Sequence, residues 1–177
     1  MKKVEGGGNI YRTGIGQDSH RFVSAETDKN RGEKSNRKLM LGGVEFEGHT
    51  ALDGNSDADV VLHSIVNAIS GITCVNILGQ ISDDMCLKHG ITDSACYIAK
   101  ALEALNAGGG KIVHVSIVLE CLVPRITPRI PEMRASLSDM LGIAGGSIGI
   151  TATSGEGLTA FGRGEGIQAF CCVTAVY

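Results

Sequence analysis

Between Lys111 and Cys121 the apolar residues Val113, Val115, Ile117 and Leu119 fall at every second position. Alternate side chains of an extended backbone share one face. The run is therefore a strand with one apolar face, and His114, Ser116, Val118 and Glu120 stand on the other; His114 has no catalytic role in this reading. Helices flank it. One is expected over Thr92 to Asn106, with Asp93 near its start and glycines 108–110 at its end; another begins at Pro131 and stops at Gly142. Further strands are expected at Ile10 to Gly16, Ser147 to Thr153 and Gly166 to Tyr177. A pair of short strands turns at Gly42 and Gly43. The segment Val60 to Ile69 reads as the first helix. Leu62, Ile65, Val66 and Ile69 form its buried stripe, and Ser56 with Asp59 fits a capping box at its start.

The 177 residues suit one domain, 1–177, with a flexible tail over 1–9 and an extended polar loop over 24–38. A chain of this size buries roughly 70% of its unfolded surface. Several function classes drop out. No apolar run is long enough to cross a bilayer. The net charge of −3 and the absence of tryptophan argue against nucleic acid as a partner. The six cysteines form no C-x-x-C pair, which suits reduced packing residues and a cytoplasmic location. Cys171 and Cys172 are adjacent and so face opposite ways in a strand.

Asp18 and His20, two apart after the first strand, would offer an oxygen and an imidazole nitrogen to one point. Zinc accepts both, and a catalytic zinc takes three protein ligands and keeps one position open. His63, on the first helix, supplies the third, with Asp59 or Asn67 at i±4 to orient its second nitrogen. The stretch Gly71 to Gly90 has weak periodicity and reads either as a loop over the site or as an ordinary surface loop.

Asp18, His20, Ser56, His63, Pro124, Glu156, the Ile130 to Arg134 motif and the Gly162 to Gly166 run, in this order and spacing, resemble the 2-C-methyl-D-erythritol 2,4-cyclodiphosphate synthase family from about Arg12 onward. The resemblance implies an α+β fold. A mixed β-sheet with helices on one face would assemble as a homotrimer, sheets packed around the three-fold axis and active sites between subunits. It implies cyclisation of a CDP-linked methylerythritol 2-phosphate with release of CMP, in non-mevalonate isoprenoid synthesis. Zn²⁺, or another divalent ion, would sit on Asp18, His20 and His63; Mg²⁺ or Mn²⁺ would bind the substrate diphosphate at Glu156. Asn55 and Ser154 fall at catalytic positions. Ser56, Ile77, Leu78, Gly79, Pro124, Arg125, Ala152, Thr153, Phe161 and Arg163 fall at substrate-binding positions, with cytidine between Cys121 to Thr127 and the Ala152 to Ser154 turn. Arg163 would lie near an axial channel able to take an isoprenoid diphosphate.

The chain departs from the family in several places. Asn55 replaces a histidine, Asn76 to Gly79 lacks an acidic residue, Ser82 to Cys86 replaces a Phe-Pro-Asp-Thr-Asp loop, and Arg125 replaces a lysine. These leave the three ligand positions intact. Two other readings use the same residues: a metal-dependent phosphohydrolase with water as nucleophile, and a trimeric binding protein that has lost catalysis.

Overall fold

The structure is a computed structural model, described over residues 8–24 and 37–177. Most of the expected N-terminal tail and polar loop lies outside these residues. A mixed sheet has the order β1 (Tyr11–Arg21), β6 (Gly166–Val176), β4 (Lys111–Glu120), β5 (Ile148–Thr153), strands β1, β6 and β4 running antiparallel and β5 parallel to β4. A small hairpin, β2 (Met40–Leu41) and β3 (Val44–Glu45), stands apart from it. Its turn has positive φ at both Gly42 and Gly43, which is why two glycines occur there.

Helix α1 (Val60–Thr73) lies on β1 and β6. Its backbone rests directly on the strand: a Cβ at Gly14 would come 2.0 Å from the Ala68 carbonyl oxygen, and one at Gly16 2.0 Å from that of Ser64. Two residues of strand span about 6.6 Å, and four of helix about 6 Å. The two spacings match, so both glycines are seated at once. The same face of β1 then continues to Asp18 and His20, opposite the first turn of α1. Among the described residues nothing covers the sheet's other face: Ile15 is 76% and Phe170 46% exposed.

Helix α2 (Gln80–Asp83) and a π turn at Asp84–Lys88 occupy much of Gly71 to Gly90, which was expected as loop. Helix α3 (Ala95–Ala107) packs on α1, and α4 (Ile130–Leu141) packs on β5 and ends at left-handed Gly142.

Three sequence expectations need correction. Strand β1 extends to Arg21, so Asp18 and His20 lie inside it. Val113 does not share the buried face of Val115, Ile117 and Leu119. A bulge between Ile112 and His114 inserts one residue, buries Ile112 and leaves Val113 38% exposed. The capping box is also displaced. Asp59 itself is the N-cap of α1, accepting from the Val61 and Leu62 amides at 3.0 and 3.1 Å. The same buried carboxylate accepts from the Gly42 and Gly43 amides at 2.9 and 2.7 Å, tying the hairpin turn to the helix. Ser56 Oγ instead accepts from the Ala58 amide.

Candidate metal centre

Asp18 and His20 point the same way from β1, and α1 brings His63 to meet them. The Asp18 carboxylate lies 3.3 Å from His20 Nε2 and 3.0 Å from His63 Nδ1. One ligand atom from each residue lies within 4.8 Å of the others, and among the described residues this is the group able to hold a metal ion.

The second nitrogen of each imidazole is engaged away from the common point. His20 Nδ1 is 2.5 Å from the Asp53 carbonyl, and His63 Nε2 is 2.8 Å from Ser94 Oγ. A carbonyl only accepts, so His20 carries its proton on Nδ1 and turns the Nε2 lone pair toward Asp18. Two imidazole nitrogens and one carboxylate oxygen therefore converge, a donor set that fits a divalent ion of zinc's type.

The expected orienters of His63 do not reach it. The Asp59 carboxylate is occupied by four backbone N–H groups, and Asn67 Nδ2 donates to the Gln17 carbonyl at 2.9 Å. Ser94 takes that place, from the residue before α3 and 31 positions further along the chain. Nothing distinguishes its hydroxyl in the sequence; only the packing of α3 on α1 brings it there.

Burial alone would push the Asp18 carboxyl up, but when no ion is bound the protonated imidazoles of His20 and His63 hydrogen-bond to it and, with their charges, bring it down to about 2. The same hydrogen bond to Asp18 raises His20 above its ordinary value, against an opposing effect of burial.

A second feature lies on the loops after β4 and β5. Cys121, Leu122, Pro124, Arg125, Ile126, Thr127 and Pro128 face Ala152, Thr153 and Ser154 across a cavity of about 470 Å³. The parallel pairing of β4 and β5 brings these segments together at one sheet end. The Val123–Pro124 peptide is cis.

The remaining site positions are dispersed. Ser56 is buried, 3.4 Å from His63 Nε2; Asn55 is exposed, its carbonyl accepting from Cys86 Sγ at 3.2 Å. Ile77 is buried in the core, Leu78 is half-buried and Gly79 exposed. Glu156 is exposed with a positive φ of 51° on the glycine-rich turn, and Phe161 is half-buried there. Arg163 pairs within its own chain with Glu165 at 3.1 Å, both exposed.

Comparison with known proteins places the molecule. A 2-C-methyl-D-erythritol 2,4-cyclodiphosphate synthase of Chlamydia caviae is 46% identical over 165 residues, covering 93% of this chain and 89% of that protein. The solved structure of 2C-methyl-D-erythritol 2,4-cyclodiphosphate synthase from Plasmodium vivax matches with a TM-score of 0.74 at 25% identity, covering 94% of this chain and 97% of its own. A solved 2C-methyl-D-erythritol-2,4-cyclodiphosphate synthase in a CDP-bound form matches with a TM-score of 0.77, also at 25% identity, covering 93% and 99%. The profile of the YgbB family runs from residue 11 to residue 176 of this chain, which belongs to that family.

Proposed function

We propose that this chain converts 4-diphosphocytidyl-2-C-methyl-D-erythritol 2-phosphate into 2-C-methyl-D-erythritol 2,4-cyclodiphosphate and CMP. It would thereby act as a phosphorus–oxygen lyase of non-mevalonate isoprenoid synthesis, in the cytoplasm. The observation that carries this is the convergence of Asp18, His20 and His63, in a chain that aligns with cyclodiphosphate synthases over nearly its whole length. In the reaction an oxygen of the 2-phosphate attacks the β-phosphorus, the bond from that phosphorus to the bridging oxygen breaks, and CMP leaves with the α-phosphate.

Attack within one substrate needs positioning and charge neutralisation rather than a protein nucleophile. Asp18, His20 and His63 would hold zinc, and Glu156 a Mg²⁺ or Mn²⁺; when bound, the first ion polarises the attacked phosphate and the second neutralises the diphosphate. The cavity between Pro124, Arg125, Ala152 and Thr153 takes the cytidine, and Ser154 offers a hydroxyl at its rim. Ser56 and the Ile77 to Gly79 turn bind the methylerythritol end. Asn55 stands at the family's histidine position, where it can donate a hydrogen bond but carries no charge.

The active unit is a homotrimer, with each site completed by a neighbour. In support, the sheet face that no helix among the described residues covers carries Ile15, Val118 and Phe170, all exposed. Arg163 from three subunits would ring the axis and take an isoprenoid diphosphate.

The test is incubation with the CDP-linked substrate and Mg²⁺, followed by phosphorus NMR. Cyclic diphosphate and CMP in equal amounts are expected. CMP with methylerythritol 2,4-bisphosphate would mean hydrolysis, and tight binding without turnover a binding protein. Mass in solution tests the trimer: Ile15→Lys is expected to run as a monomer where the parent runs as three chains.

A further inference from the structure

We infer that Ser94, backed by Asp57, is a positioning residue of the metal centre, holding His63 in the single tautomer that can bind the ion. The inference rests on the metal reading above and goes beyond it, because neither residue lies among the ligands or the substrate contacts.

Ser94 Oγ lies 2.8 Å from His63 Nε2 and also bonds the Asp57 carboxylate oxygen Oδ1. The second oxygen of Asp57 accepts from the Ser94 amide at 3.1 Å, so one carboxylate grips both the hydroxyl and the backbone of the same residue. Asp57 is fixed in turn by its own amide, which donates to the Thr92 carbonyl at 2.9 Å. Ser94 is fully buried, so no water competes for its hydroxyl.

Direction follows from valence. A carboxylate only accepts, so the Ser94 hydroxyl proton is spent on Asp57. Its oxygen can then only accept from Nε2. His63 must carry its proton there, and the Nδ1 lone pair is left facing Asp18 at 3.0 Å. Ser56 is the alternative partner, but it stands at 3.4 Å and is already engaged by the Ala58 amide. The geometry makes His63 the counterpart of His20, whose free nitrogen is fixed by the Asp53 carbonyl. One ligand is oriented by rigid backbone, the other by a two-residue side-chain relay.

Second partners of metal-bound histidines typically change metal affinity by about 10- to 100-fold when removed. The experiment is zinc affinity by chelator competition, with melting of the metal-free protein as the fold control. Ser94→Ala is expected to bind Zn²⁺ at least tenfold more weakly with an unaltered metal-free melting curve. Ser94→Thr, which keeps the hydroxyl, should bind within about threefold of the parent, as should Ser56→Ala. Asp57→Asn should weaken zinc less than Ser94→Ala. Equal affinity in Ser94→Ala and the parent would overturn the inference while leaving the metal centre standing. A parent that binds no zinc would overturn both. Where Ser94→Ala does not fold, long-range ¹H–¹⁵N spectra of the zinc-loaded parent decide: a His63 proton on Nε2 in slow exchange is expected, and a proton on Nδ1 overturns the inference.

Discussion

The metal corner and the Cys121–Ser154 cavity are built by opposite means. Asp18, His20 and His63 sit on a long strand and a long helix in backbone contact, and both histidines have a second partner within the same chain. The cavity is made by loops at the ends of β4 and β5, with Arg125, Thr127, Ala152 and Thr153 exposed around it. A single chain thus completes the Asp18, His20 and His63 group but leaves the Cys121–Ser154 cavity open. Metal affinity should be a property of the protomer, and substrate affinity a property of whatever closes over the loops.

Separating the two regions is the most direct way to break this contrast. His63→Ala should empty the ion site and reduce turnover by on the order of 10³-fold, the several kcal/mol that a Lewis acid supplies. Binding of CDP to the cavity, read by calorimetry, should persist. Loss of CDP binding as well would mean the two regions are one unit.

Next in size is Gly16→Ala. A methyl group there meets the Ser64 carbonyl at 2.0 Å and cannot be relieved by a rotamer change. Destabilisation of about 3 kcal/mol is expected, read by denaturant melts, with zinc content falling in parallel. Ala152→Leu, by contrast, should fill part of the cavity and raise KM by about tenfold, the 1–3 kcal/mol range of a single apolar contact, while zinc content and melting stay unchanged.

The smallest effect is that of pH on the metal-free protein. His20 is raised above 6.5, so its contribution to stability is complete below 6.5 and lost as pH climbs through the raised value. Asp18 is depressed, so its contribution is complete above 3.8 and lost as pH falls toward about 2. Melting temperature should therefore be highest between pH 3.8 and 6.5, by about 2–4 °C. Zinc reverses the upper limb: as pH climbs through the raised value of His20 a proton no longer competes with the ion, and the loaded protein should gain stability there.

Much of this was legible before the structure. Asp18 and His20 were visible because strand alternation places them on one side, and His63 because it follows an acidic helix start. The four long strands and the helices at Val60, Ala95 and Ile130 were legible from periodicity and from their stops. What escaped was decided by contacts distant in sequence. The bulge before His114 changes no composition yet reverses the parity of Val113. Asp59 and Ser56 are equally good capping residues by type; the Gly42 and Gly43 amides select Asp59. Ser94 carries an ordinary hydroxyl, and its meeting with His63 depends on α3 lying against α1.

The glycine contact between β1 and α1 also bears on which ion the corner accepts. Two ligands are borne by the strand and one by the helix, and the strand and helix backbones touch with no side chain between them. Such a clamp has almost no compliance. Its jaws keep their spacing, so only side-chain rotation is left to fit ions of different radius. Selection by size would then add to the donor chemistry, through the spacing at which strand and helix carry their ligands. Gly14 and Gly16, which carry no ligand atom, act as the gauge that sets it.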